Sequence, residues 1–449
     1  MGIDVDLLYD RFSLPARVTI LMKRRDFLKK TMLLGAAGLA LPVSSRLYAA
    51  NAGYTGRLLI LLQAEGGWDV TSFCDPKVNQ PGEPEINHWS SNGSIQTAGN
   101  IAYAPFADNS NFFNKYYGDL LVINGVDAQT NSHSTGILHN WSGRNSEGFP
   151  SLSAMFAAQQ APDQALSYIN CGGFAQTANL IRFSRLDDIG ALRQLLKPEV
   201  ESEGTTIRST DDMTRIRAYR RSRVQRLIAD PTNLPRLQYN LEAYAEALDN
   251  KSSLTNFADF IPSDDEIIEI EVVNNEVSSN LRRQIQMALS AFEAGISSAV
   301  DLHTFGYDTH VDHDTLHAPL YAHLVNSIDF LWTLAEQKGI ADRITLVIGS
   351  DFGRTPNYNS DNGKDHWPIG SVLVMEQNPS WGNRVFGETD EGHNAYHINP
   401  STLARDDSNG TIIYPKHVHK ALRRYLGLEN TAVDANFQFS NTEDFDFFG

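Results

Sequence analysis

The chain has 449 residues, 41% of them hydrophobic, and a formal net charge of −17. That length and apolar content are enough for one large α/β domain with insertions or for two ordinary domains, each with a real core. The acidic balance repels nucleic acid and anionic lipid, and an anionic substrate would need metal ions or a few arginines to settle.

From Met22 the order is basic, apolar, small: Lys23-Arg24-Arg25-Asp26-Phe27-Leu28-Lys29-Lys30, an apolar stretch from Met32 to Leu41, then Tyr48-Ala49-Ala50. This is the order of a cleavable export signal, and the paired arginines followed by Phe-Leu-Lys specify the twin-arginine route. The expected location is therefore the periplasm, with the twin-arginine translocase as a partner during export. About ten apolar residues are too few to span a bilayer, which needs roughly twenty. Residues 1–21 precede the signal and read as an over-extended start. Residues 1–50 hold eight Lys/Arg against four Asp/Glu, so the remainder carries −21.

Beyond residue 50, apolar runs at 58–62, 120–124, 298–302, 344–349 and 371–375 alternate with helical patterns. This predicts a mostly parallel sheet covered by helices on both faces. The clearest helix is 315–338, with Leu316, Leu320, Leu324, Ile328, Leu331 and Ala335 at helical spacing and Gly339 as its stop. Residues 200–280 are arginine-rich and then acidic, and read as a helical insertion or cap. No further run reaches membrane-spanning length. Cys74 and Cys171 are the only thiols, too far apart in sequence for a disulfide to be deduced.

In open parallel sheets, ligands bind beyond the carboxyl ends of the strands. Those positions are polar here: Gly66-Gly67-Trp68-Asp69 after the first run, Ser132-His133-Ser134-Thr135 after the second, Asp308-Thr309-His310 after the third, and Ser350-Asp351-Phe352-Gly353-Arg354-Thr355 with Asp365-His366 after the fourth. Aspartates and histidines from several strand ends suit one or two divalent cations, which lower the pKa of a bound water or hydroxyl. Each has a plain structural alternative: Asp69 as a turn or cap residue, Asp308 with His310 as a local pair, and Arg354 as an ion-pair partner of Asp351. His313 and His317 are expected to face solvent, and the remaining histidines have no comparable placement.

At these residues the chain resembles a widespread uncharacterised family of exported bacterial proteins assigned to the alkaline phosphatase and sulfatase clan. The matching segments are Gly-Gly-Trp-Asp69, His133-Ser134 leading to Ser142-Gly143-Arg144, Asp308-Thr309-His310, Ser350 to Thr355, and Asp365-His366. The resemblance implies a doubly wound α/β sandwich with metal ions at the strand ends. It implies Asp69, Asp308, His310, Asp351 and His366 as metal ligands, the ion being zinc, manganese, calcium or magnesium. It departs from the clan in two places. The Ser-Asp-His-Gly motif becomes Ser350-Asp351-Phe352-Gly353, which puts a second metal in doubt, and the nucleophile position falls on His133, flanked by Ser132 and Ser134. His133 is then either a ligand or a participant in covalent chemistry.

These observations lead to an expected metal-dependent hydrolase or transferase acting on a phosphate or sulfate ester, with a hydroxyl near His133 attacking and Arg354 holding the anion. A second reading is a degenerate member that binds an envelope glycan or a protein partner without turnover. A third makes residues 200–280 a docking surface.

Overall fold

The computed structural model describes residues 53–186, 196, 208–249, 254, 257–263 and 265–449. Asn51–Gly449 form one compact unit. The segment read as an export signal and the residues before it lie outside the described residues.

Eight strands build the central sheet: β1 (Leu58–Glu65), β2 (Leu120–Asp127), β3 (Tyr168–Asn170), β4 (Phe183–Arg185), β5 (Ala299–Phe305), β6 (Ile344–Gly349), β7 (Ile369–Met375) and β8 (Arg384–Phe386). Their spatial order is β8-β2-β7-β6-β1-β5-β3-β4. Every neighbouring pair is parallel except those made by β7, which runs antiparallel to both β6 and β2. Because β7 is reversed, the residues just before it lie at the same edge as the residues just after β1, β5 and β6. This places His366 beside the other strand-end residues.

The helices are α1 (Asn109–Tyr116), α2 (His133–Ser142), α3 (Leu152–Gln160), α4 (Thr210–Ile228), α5 (Pro235–Asp249), α6 (Leu281–Glu293), α7 (His313–Gln337) and α8 (Pro415–Tyr425). Successive side chains of a strand point to opposite faces, and β1 divides its apolar residues accordingly. Leu58, Ile60 and Leu62 join a core with Phe113 of α1, Ile285 of α6 and Leu324 of α7. Leu59 and Leu61 join a second core with Trp141 of α2, Phe156 of α3 and Leu422 of α8. Burial on both faces explains why β1 reads as an unbroken apolar run. The predicted helix at 315–338 is α7. It begins two residues earlier and brings His313 and His317 into the interior, both fully buried, where the sequence reading had them facing solvent. Cys74 and Cys171 are both buried and are not joined in a disulfide.

One carboxylate sits inside this core. Asp301, in the middle of β5, is fully buried and accepts hydrogen bonds from Ser153 Oγ (2.5 Å), Tyr168 Oη and Asn170 Nδ2. Burial raises its pKa from the ordinary 3.8 to about 7, against the opposing effect of those three donors. Between about pH 4 and 7 the folded chain therefore keeps a proton that the unfolded chain has lost. Stability falls as pH rises through that window and levels off above it. At about 1.4 kcal/mol per pH unit the loss is of order 4 kcal/mol. Asp301→Asn, which cannot ionise, is expected to flatten the dependence of denaturation midpoint on pH between 4 and 7. A wild-type curve no steeper than that of the variant would refute the assignment.

Candidate metal centre

The strand-end edge is organised by the turn after β1. Gly66 and Gly67 have φ of +122° and +83°, a region L side chains rarely adopt, and a Cβ on Gly66 would lie 2.5 Å from the Asp308 nitrogen. The turn aims both amides at Asp351 Oδ1, at 3.0 and 2.7 Å, and Ser350 Oγ donates to the same oxygen. The carbonyls of the turn are held by Arg354. Its Nε donates to Gly67 O (2.8 Å), its Nη1 to Lys364 O (2.9 Å), and its Nη2 to Gly66 O and to Asp308 Oδ1 (2.5 Å). Arg354 is fully buried. It was expected to hold a substrate anion, but four of its five N–H donors are committed to these carbonyls and to one carboxylate.

Three imidazoles converge above this turn. His366 Nε2 lies 3.1 Å from His133 Nε2 and 3.0 Å from His310 Nε2. The Asp308 carboxylate completes the group, with Oδ1 3.0 Å from both His310 Nε2 and His366 Nε2, and Oδ2 3.3 Å from His133 Nε2. Each ring's other nitrogen faces an oxygen: His133 Nδ1 meets Asp351 Oδ2 (2.5 Å), His310 Nδ1 meets Asp365 Oδ1 (2.7 Å), and His366 Nδ1 meets the Asn131 carbonyl (2.9 Å). A carbonyl or carboxylate only accepts, so each Nδ1 carries its hydrogen; a ring that is neutral then turns an Nε2 lone pair inward, and one that is protonated donates from Nε2 to Asp308. Lone pairs this close repel one another unless a shared cation lies among them. The ligand atoms of His133, Asp308 and His366 all lie within 4.8 Å of one another, a spacing that could hold a metal ion, and His310 Nε2 stands beside that of His366.

The local field favours the charged carboxylate. Burial would raise the Asp308 pKa, but the bond to and charge of Arg354, with His366 and His133, hold it at about 2. The bond to Asp351 raises His133 above the usual histidine value, although burial opposes it. The group is open on one side: His310 and Asp308 are more than 40% exposed, His133 and His366 less. Phe352 lies beneath, its ring centroid 4.8 Å from that of His133 and 4.7 Å from that of His366.

The structure thus brings together Asp308, His310 and His366, as expected, and adds His133. Asp351 reaches the cluster only through His133 Nδ1 and acts as its orienting partner. Ser132 and Ser134 lie at the start of α2 beside His133, their hydroxyls 3.3 Å apart, and Ser132 makes no side-chain cap bond to the helix.

Asp69 has a different environment. It is fully buried, and its Oδ2 accepts from Lys364 Nζ (2.8 Å) and His313 Nε2 (3.1 Å), while Oδ1 accepts from the Thr71 amide and hydroxyl. The Lys364 ammonium is also fully buried, and it donates to Thr71 Oγ1 and Asn87 Oδ1 as well, so its three hydrogens have three oxygens. Burial alone would raise the Asp69 pKa, but the Lys364 charge and the His313 bond keep it well below normal. His313 and His317 are depressed by burial. A single neutral arrangement satisfies both: His317 Nε2 accepts the Asp69 amide, its Nδ1–H meets Thr309 Oγ1, that hydroxyl donates to His313 Nδ1, and His313 Nε2–H reaches Asp69. The cation beside Asp69 is therefore an ammonium supplied by the chain.

Residues 57–415 match the family described as protein of unknown function, DUF1501. The chain belongs to that family. No curated protein matches it. Among solved structures, this DUF1501 chain is similar to the PsFucS1 sulfatase of a Pseudoalteromonas species, with 10% identity, a TM-score of 0.39, and coverage of 84% of this chain and 68% of the other. It is also similar to the alkaline phosphatase of the Antarctic bacterium TAB5, with 9% identity, TM-score 0.30 and coverage of 74% and 94%. A third similarity is to the lipoteichoic acid synthase LtaP of Listeria monocytogenes, with 9% identity, TM-score 0.30 and coverage of 88% and 75%.

Sequence reasoning missed Lys364, because a lone lysine two residues before a candidate histidine carries no pattern. It also missed the Asn131 carbonyl as the partner of His366, and Asp365, which its place beside His366 suggests as that ring's orienting group, orients His310 instead. Removing one member of a buried ion pair costs about 3–5 kcal/mol, because a charge is left unpaired. Lys364→Met is expected to lose that much in urea denaturation. Adding Asp69→Asn should recover part of it, so a double variant less stable than Lys364→Met would overturn the pairing.

Proposed function

We propose that this DUF1501 protein is a metal-dependent hydrolase or transferase acting on a phosphate or sulfate ester, and that His133, Asp308, His310 and His366 hold a single divalent cation. The observation that carries the reading is the convergence of three Nε2 atoms, each fixed by an oxygen on its Nδ1. A cation bound there would supply charge for an anionic ester and lower the pKa of a bound water or hydroxyl. The chain's residues do the rest. Asp351 and Asp365 hold two imidazoles in the ligating tautomer. Arg354 keeps Asp308 ionised. The start of α2 offers amides that favour negative charge beside the Ser132 and Ser134 hydroxyls. Either hydroxyl is placed to act as nucleophile, with water as the alternative. Lys364 fills the position beside Asp69, which supports one metal rather than two.

A binding role without turnover is favoured by one observation: Arg354, expected to hold the anion, is fully buried and spends four of its five N–H bonds on Gly66, Gly67, Lys364 and Asp308. Export by the twin-arginine route to the periplasm is proposed from the sequence of residues 22–50. No helix among the described residues is long and apolar enough to cross a membrane.

The test is metal content by elemental mass spectrometry on the chain from Asn51, purified without chelators. The expected result is about one zinc, manganese, calcium or magnesium per chain, lost in His310→Ala/His366→Ala and retained in Asp69→Asn/Lys364→Met. Asp351→Ala should weaken affinity about 10–100-fold, as loss of an orienting partner does. Equal, negligible metal in folded wild type and His310→Ala/His366→Ala would remove the metal reading. Metal without turnover of aryl phosphate or aryl sulfate esters would favour the binding role.

A further inference from the structure

The helical hairpin of α4 and α5 is at odds with the charge of the chain that carries it. Arg215, Arg220, Arg223 and Arg226 on α4 and Arg236 on α5 are exposed, and among the described residues these five make no ion pair. Asp211, Asp212, Asp230 and Glu242 also lie on the hairpin, and they pair with none of these five arginines. The hairpin tip is also apolar where it meets solvent: Leu227 is 43% exposed, Leu234 73% and Leu237 49%. α4 buries only Met213 and Val224. Leucines ringed by unpaired arginines form a surface complementary to an acidic, partly apolar partner.

The same chain carries such a surface. Asp265, Glu269 and Glu276 are exposed around Ile270 and Val272, which are 56% and 79% exposed. Of these acids, Glu269 is met by Arg283 at 3.2 Å, while Asp265 and Glu276 make no ion pair with a described residue. Val272 lies in the two-stranded ribbon of Glu271–Val272 with Ser278–Ser279.

We propose that the α4–α5 hairpin tip of one copy docks on the acidic 265–276 segment of a second copy. Arg223, Arg226 and Arg236 face the carboxylates, and the leucines cover Ile270 and Val272. The proposed assembly is a two-fold dimer in which each copy gives its hairpin tip to the other, so that the two contacts are equivalent. The contact is electrostatic at its rim, so it weakens with salt.

The test is sedimentation equilibrium of the chain from Asn51, which is the compact unit. Wild type should dimerise in the micromolar range, with the dissociation constant rising at least tenfold in 0.5 M salt. Arg223→Glu/Arg226→Glu/Arg236→Glu should be monomeric, and so should Asp265→Arg/Glu269→Arg/Glu276→Arg. Mixing the two charge-reversed proteins should give a heterodimer, because one of its contacts is native and the other is complementary with its signs exchanged, and combining all six substitutions in one chain should restore the homodimer. If the arginine variant fails to fold by circular dichroism, Leu227→Ser/Leu234→Ser reads the same contact and should be at least tenfold weaker. A wild type that stays monomeric at 100 μM, or a dimer indifferent to every one of these changes, overturns the proposal.

Discussion

The buried guanidinium of Arg354 is the tie on which the strand-end edge depends. It binds the two carbonyls of the turn after β1, the carbonyl of Lys364, and the Asp308 carboxylate that follows β5. Three separate segments therefore take their positions from one planar group with fixed donor directions. A lysine, which is a point charge with rotating donors, would not hold that geometry. With the turn fixed, its amides can grip Asp351. With Asp351 fixed, His133 is held in one tautomer. The imidazole cluster is thus the last link of a chain of hydrogen bonds that begins at a residue with no access to solvent.

The edge contains two solutions to the same electrostatic problem. Beside Asp69, deep in the fold, negative charge is balanced by a lysine that has every hydrogen bonded and no route to exchange. Around Asp308, nearer the surface, a carboxylate is partnered by arginine on one side and by three inward-facing imidazoles on the other. The first arrangement is complete without anything from outside the chain. The second leaves a concentration of lone pairs that an external cation relieves, and this is why chemistry is assigned there.

The layered fold was legible because β1 and β6 are buried on both faces and α7 keeps its apolar spacing for most of its length. What the sequence could not show was the reversed direction of β7, since an antiparallel strand buried in the middle of a sheet has the same apolar run as a parallel one. The candidate site was legible in part. Asp308, His310 and His366 stand next to strand ends and follow from that rule. Asp69 and Asp351 satisfy it equally well, yet their carboxylates are directed to Lys364 and to His133 Nδ1. Adjacency to a strand end locates a residue to within a turn, whereas side-chain direction depends on partners distant in the chain. His313 and His317 illustrate the same limit: helix spacing places them on α7, but their burial follows from a hydrogen-bond relay through Thr309 that leaves no mark in the sequence.

His133 and His366 are 233 residues apart in the chain, and His310 and His366 are 56 apart. An ion shared among them would tie the chain as a disulfide does, and the constraint it removes from the unfolded chain grows with the length of the loop closed. Such a knot can form only after β2, β5 and β7 have taken their places. Loading of the site would then mark the moment at which the whole sheet is finished, and a nicked or half-folded chain would be unable to imitate it.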